Sequence, residues 1–218
     1  RVQMQALDIT ASVRTPNTEE VYVAMALDAG ADGVLVPYCE TVDEVRHCAV
    51  KLRTHPLKGE YYERVVETGE YPSDKSKKYL AERHKDHIFI MGIESEPAAN
   101  RVGELIDCAE IDGVFIGPND MTTSLGIPDE SSNSIYLDTL SKIIAEADKR
   151  GIPTMIHQQT IETSAKAIEL GARFIMHSSD AGILLRGTQD EFAQLRKITS
   201  KKYGVVDEVE AEDTLDVV

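Results

Sequence analysis

Two carboxylates stand where short apolar runs end. The run HIFIMGIES, residues 87–95, delivers Glu94, and the run GVFIGPNDM, residues 113–121, breaks at Gly117-Pro118 and delivers Asp120. A carboxylate at the end of a buried strand is costly unless it is paired or bound to a metal. Glu94 alone would fit a strand-end ion pair, and Asp120 alone a helix N-cap. Together, on neighbouring strand ends, they form an all-oxygen pair suited to Mg2+ or Mn2+, with Co2+ admissible, and leave positions open for water and substrate. Gly117 permits close backbone approach and Pro118 fixes the turn. The N–H groups of Asn119 and Asp120 are then placed to hold a substrate carboxylate.

Other groups could share that rim. Arg14 ends the run ASVR and offers a planar donor fork for a carboxylate or an enolate oxygen; a plain surface arginine is the competing reading. Asp28 lies near the end of a helix, where the dipole disfavours an acid, so it is either a solvated surface charge or a residue kept for another reason. His157 and His177 end the runs PTMIH and FIMHS and are possible rim residues, although a lone strand histidine is commonly structural. His47, His55, His84 and His87 sit in helical or loop context with nothing to single them out. None of the apolar runs contains a lysine, which a Schiff-base aldolase needs on a strand. Carbon–carbon chemistry here would need a metal as electron sink.

These residues need a scaffold. The runs 11–14, 33–38, 88–94, 113–117, 153–157 and 174–178 read as parallel strands, and the stretches 18–29, 41–54, 97–108, 134–150, 160–170 and about 188–202 read as helices. Thr18 and Thr41 look like N-caps followed by acidic first turns. Gly30, Gly151 and Gly171 fall where helices end and strands begin. This cadence predicts an α/β fold, a TIM (β/α)8 barrel, with one cryptic strand near Leu57–Glu60 and the first strand lacking. No GxGxxG favours a doubly wound sheet instead. The barrel domain is expected over 1–203. A polar excursion at about 59–86 suggests a lid or an oligomer contact, and 204–218 an acidic tail.

The net charge of −15 argues against nucleic acid and anionic membranes as partners. No apolar run reaches the roughly 18 residues of a membrane span, and no signal peptide opens the chain. Cys39, Cys48 and Cys108 lack pairing or zinc-site spacing, which fits a reducing cytoplasm.

The segments VRTPN (13–17), LDAGADGVLVPYCETVDEVR (27–46), IES (93–95) and DGVFIGPNDMTTSLGIP (112–128) resemble the HpcH/HpaI aldolase family, with its citrate lyase β-subunit relatives. The resemblance spans about Arg14 to about Arg196. It implies a barrel of the phosphoenolpyruvate/pyruvate type and a class II aldehyde-lyase. The implied reaction is reversible cleavage of a 4-hydroxy-2-oxo acid to pyruvate and an aldehyde through a metal-stabilised enolate. Glu94 and Asp120 match the metal ligands, and Arg14 the arginine on the pyruvate oxygen. Gly117, Pro118, Asn119 and Asp120 match the carboxylate pocket. Asp28 matches an acid reaching into a neighbouring subunit's site. A homo-oligomer is implied, hexameric or dimer-based, with a swapped last helix. The family's D-x-E-H motif is absent, Gly92 stands where a glutamine is usual, and Lys58-Gly59-Glu60 replaces a Gly-Arg-Gly-like segment. A citryl- or malyl-type thioester lyase, or a non-catalytic barrel acting as metabolite sensor or assembly partner, are the alternative readings.

Overall fold

The computed structural model describes Leu7 and residues 9–204; the acidic tail beyond Gly204 lies outside the described residues. Among them, six strands form one sheet in the order of the chain, every neighbouring pair parallel. They are β1 (Ser12–Arg14), β2 (Gly33–Val36), β3 (Ile88–Ile93), β4 (Gly113–Ile116), β5 (Thr154–Gln158) and β6 (Phe174–His177). The helices are α1 (Glu20–Asp28), α2 (Val42–Thr54), α3 (Gly59–Thr68), α4 (Asp74–His84), α5 (Glu96–Asn100), α6 (Val102–Asp107), α7 (Pro118–Ser124), α8 (Ser134–Asp148), α9 (Ile161–Glu169) and α10 (Asp180–Tyr203). A curled parallel sheet with helical crossovers is a half-barrel of TIM-like type. The six apolar runs became the six strands. The cryptic strand did not form: Gly59, at φ 59°, opens α3 instead.

Side-chain parity divides the sheet. Val34, Val36, Phe89, Met91, Ile93, Val114, Ile116 and Ile156 point to the helices and join the main core with Leu52, Leu105, Leu140 and Ile143. Leu35, Ile90 and Phe115 form a separate small cluster with Ile88 and Met155 on the inner face. Cover on both faces of β2, β3 and β4 is why those strands read as continuous apolar runs.

The helix ends follow the expected chemistry with one exception. Thr41 caps α2 in a complete capping box with Glu44. Glu19, not Thr18, is the N-cap of α1, and the Thr18 hydroxyl donates to Glu44 Oε1 at 3.2 Å. Gly30, Gly151 and Gly171 all adopt positive φ at the joints. The predicted helix 97–108 breaks in two at Arg101, and the last helix starts at Asp180, earlier than expected. The excursion is two helices, α3 and α4, packed on α2, burying Tyr62, Val65, Val66, Leu80 and His84. It belongs to the outer helical layer. α10 buries none of its residues.

Candidate active site

β3 carries the site's central residue. In step with Ile88, Ile90 and Gly92 on the inner face, the next position is Glu94, just past the strand's end. Register puts Arg14 on the same face, because Arg14 pairs with Leu35 and Leu35 with Ile90. An Arg14 terminal nitrogen (Nη2) lies 3.8 Å from Glu94 Oε2. Glu94 is 4 % exposed, and its Oε2 has no hydrogen-bond donor. Burial pushes the Glu94 carboxyl up from its ordinary range; the Arg14 guanidinium pulls it down, the nearby Asp120 charge pushes it up, and the Tyr38 N–H pulls it down. A buried carboxylate with an open oxygen beside a second acid fits a divalent oxygen-seeking cation.

Gly117 and Asp120 complete that geometry. A Cβ at Gly117 would come within 3.0 Å of Glu94 Oε1, so only glycine leaves this carboxylate where it is. Gly117 is also the N-cap of α7, with Pro118 in its first turn. Asp120 therefore sits inside the first turn rather than capping it, with an exposed side chain. Among the described residues, no cluster of three or more His, Cys, Asp or Glu could hold a metal.

Tyr38 escaped the sequence reading. It takes φ 58°, a left-handed conformation that non-glycine residues avoid. That turn aims its N–H at Glu94 and sets its ring 5.1 Å from the Arg14 guanidinium carbon. The chain reaches this pose by crossing Gly92: a Cβ there would meet Pro37 Cα at 2.8 Å, and Cys39 N–H donates to the Gly92 carbonyl at 3.1 Å. No local signal announces Tyr38, apart from its place directly after a strand and a proline.

The remaining candidates divide. His157 lies on the inner face, in register with Met176, with Nε2 3.3 Å from the Ser178 carbonyl. His177 does not line the rim. It is one step out of phase, pairs with Gln158 on the helix-facing side, and its Nδ1 meets Ser164 Oγ of α9 at 3.0 Å. Asp28 ends α1 and bonds His55 within the same chain, a partner that the sequence did not suggest. A cavity of about 340 Å3 lined by Tyr136, Leu140, Gln158 and Ala167 lies in the helical layer, away from Glu94.

Comparison with known proteins gives the family. Residues 2–186 match the family model described as HpcH/HpaI aldolase/citrate lyase. A 5-keto-4-deoxy-D-glucarate aldolase from Salmonella arizonae is 30 % identical over 193 residues, covering 86 % of this chain and 73 % of that protein. The crystal structure of an HpcH/HpaI aldolase/citrate lyase family protein from Burkholderia cenocepacia is 25 % identical with a TM-score of 0.74, covering 88 % of this chain and 77 % of that one. An HpcH/HpaI aldolase from Desulfitobacterium hafniense, 19 % identical, shares the fold with a TM-score of 0.73 over 98 % of this chain and 78 % of its own. The chain belongs to the HpcH/HpaI aldolase/citrate lyase family and is a carbon–carbon lyase.

Proposed function

We propose that this lyase is a divalent-metal-dependent aldolase that reversibly cleaves a 4-hydroxy-2-oxo acid to pyruvate and an aldehyde. The observation that carries the reading is the buried Glu94 carboxylate, open at Oε2, between Arg14 and Asp120. Glu94 and Asp120 would hold the cation. When bound, Mg2+ or Mn2+ supplies Lewis-acid polarisation of a 2-oxo acid. Arg14 donates to the oxygen on which negative charge develops. The Tyr38 ring keeps the Arg14 guanidinium turned toward that oxygen. The N–H groups of Asn119 and Asp120, in the first turn of α7, orient the substrate carboxylate. Asp28 serves the site of a neighbouring copy, and the working unit is a homo-oligomer.

Mn2+ binding followed by electron paramagnetic resonance tests the ligand pair. Glu94→Gln and Asp120→Asn should each weaken binding by at least about tenfold while the fold persists. Unchanged affinity in Glu94→Gln would remove the basis of the reading.

A further inference from the structure

Asp28 closes α1 at its C-terminal end, where the helix dipole repels a carboxylate. Its Oδ1 nevertheless lies 2.8 Å from Nε2 of His55, the residue that follows α2. A carboxylate only accepts, so Nε2 carries the proton of this bond. The pair is unequal in exposure, with 10 % of the His55 side chain accessible against 72 % of Asp28. His55 is held from behind as well. Its backbone carbonyl accepts from Nε2 of His84, which is buried in α4. The excursion that carries α4 thus braces the histidine, and the histidine grips one oxygen of an exposed acid.

We propose that His55 is a positioning residue that fixes the Asp28 carboxylate in one orientation and leaves its other oxygen facing outward for a neighbouring copy's active site. The inference rests on the aldolase reading, and on its placement of Asp28 in that neighbouring site. Helix stability does not explain the pair, because an acid at this end opposes the dipole. An exposed aspartate without a partner samples several rotamers. Reaction geometry needs one of them, and misplacement of a catalytic group by about 1 Å can cost on the order of a hundredfold in rate.

The test compares His55→Ala, His55→Gln, Asp28→Asn and the double variant His55→Ala/Asp28→Asn in full-length chain. The probe is Mg2+-dependent deuterium exchange at the methyl group of pyruvate, with unfolding temperatures recorded alongside. His55→Ala should lose on the order of tenfold in kcat, with KM for pyruvate changed by less than about twofold. His55→Gln, whose amide N–H can reach the same carboxylate, should recover part of the loss. The double variant should be no slower than Asp28→Asn, because His55 acts through Asp28. Losses that multiply, or a full rate in His55→Ala while Asp28→Asn is impaired, would overturn the assignment of His55. A full rate in Asp28→Asn would instead overturn the reading of Asp28. Imidazole 15N spectra give a readout independent of rate. The wild-type His55 should show Nε2–H as its settled tautomer, and Asp28→Ala, which removes the acceptor, should release it; the same tautomer mixture in both proteins would mean that the pair does not form.

Discussion

Burial alone would make Glu94 a liability, since an unpaired ion inside a protein costs several kcal/mol. Its neighbours reduce that cost without removing it: Arg14 stands at 3.8 Å, beyond hydrogen-bond reach, and Oε2 stays without a donor. Tyr38 shows the same trade at the backbone. Its left-handed turn costs about 1–2 kcal/mol for a non-glycine residue, and its ring over an exposed guanidinium returns about 0.5–1 kcal/mol. Tyr38→Gly should therefore leave the melting temperature unchanged or slightly higher. It should lower turnover several-fold, because Arg14 loses its support. Paired thermal melts and rate measurements check this, and a destabilised but fully active variant would contradict it. Glu94 and Asp120 were legible in the sequence because each ends an apolar run. Tyr38 and His55 were not, since their roles come from a φ angle and from a partner 27 residues away.

At the scale of elements, β-strand parity decided what the sequence left open. His177 ends β6 and His157 stands one residue before the end of β5, in register with Met176, so the two histidines face opposite sides of the sheet. A run apolar on both faces hides its own phase. The excursion was legible in part: Tyr62, Val65 and Val66 have the spacing of one helix face, yet its polar composition masked them. Its second helix carries a titratable brace. Burial pushes His84 below the ordinary imidazole value; the bond to the His55 carbonyl pulls it up, and His87, Arg83 and His55 push it down again. The unfolded chain then binds a proton that the folded chain refuses. Stability is complete above about pH 6.5 and falls on acidification through the lowered value, with a slope of at most about 1.4 kcal/mol per pH unit for this one group. His84→Gln should flatten that part of the slope in denaturant melts across pH 5–7. An identical pH dependence in the variant would contradict the account.

At the scale of the whole molecule, the described sheet has two open edges, β1 and β6, and the three residues of β1 are exposed. α10 is the larger exception to burial. It is 24 residues long, and Ile183, Leu184, Phe192, Leu195 and Ile198 are each more than half exposed. A surface of that kind marks a contact. The chain should sediment as an oligomer, and Leu184→Glu with Phe192→Glu should shift it to a smaller species. A wild-type monomer at micromolar concentration would contradict the assembled reading. No helix among the described residues is long and apolar enough to cross a membrane. Architecture was legible from the alternation of runs and glycine joints, whereas the cover for α10 has no signature in a single chain.

Glu94 and Asp120 are proposed to hold a cation that makes pyruvate acidic at its methyl group. The most direct measurement is 1H NMR of pyruvate in D2O with the protein and Mg2+ or Mn2+, then with EDTA, with Glu94→Gln alongside. Methyl exchange should require the metal, stop with EDTA and be lost in Glu94→Gln. Exchange that survives EDTA, or that is no faster in the wild type than in Glu94→Gln, would contradict that assignment.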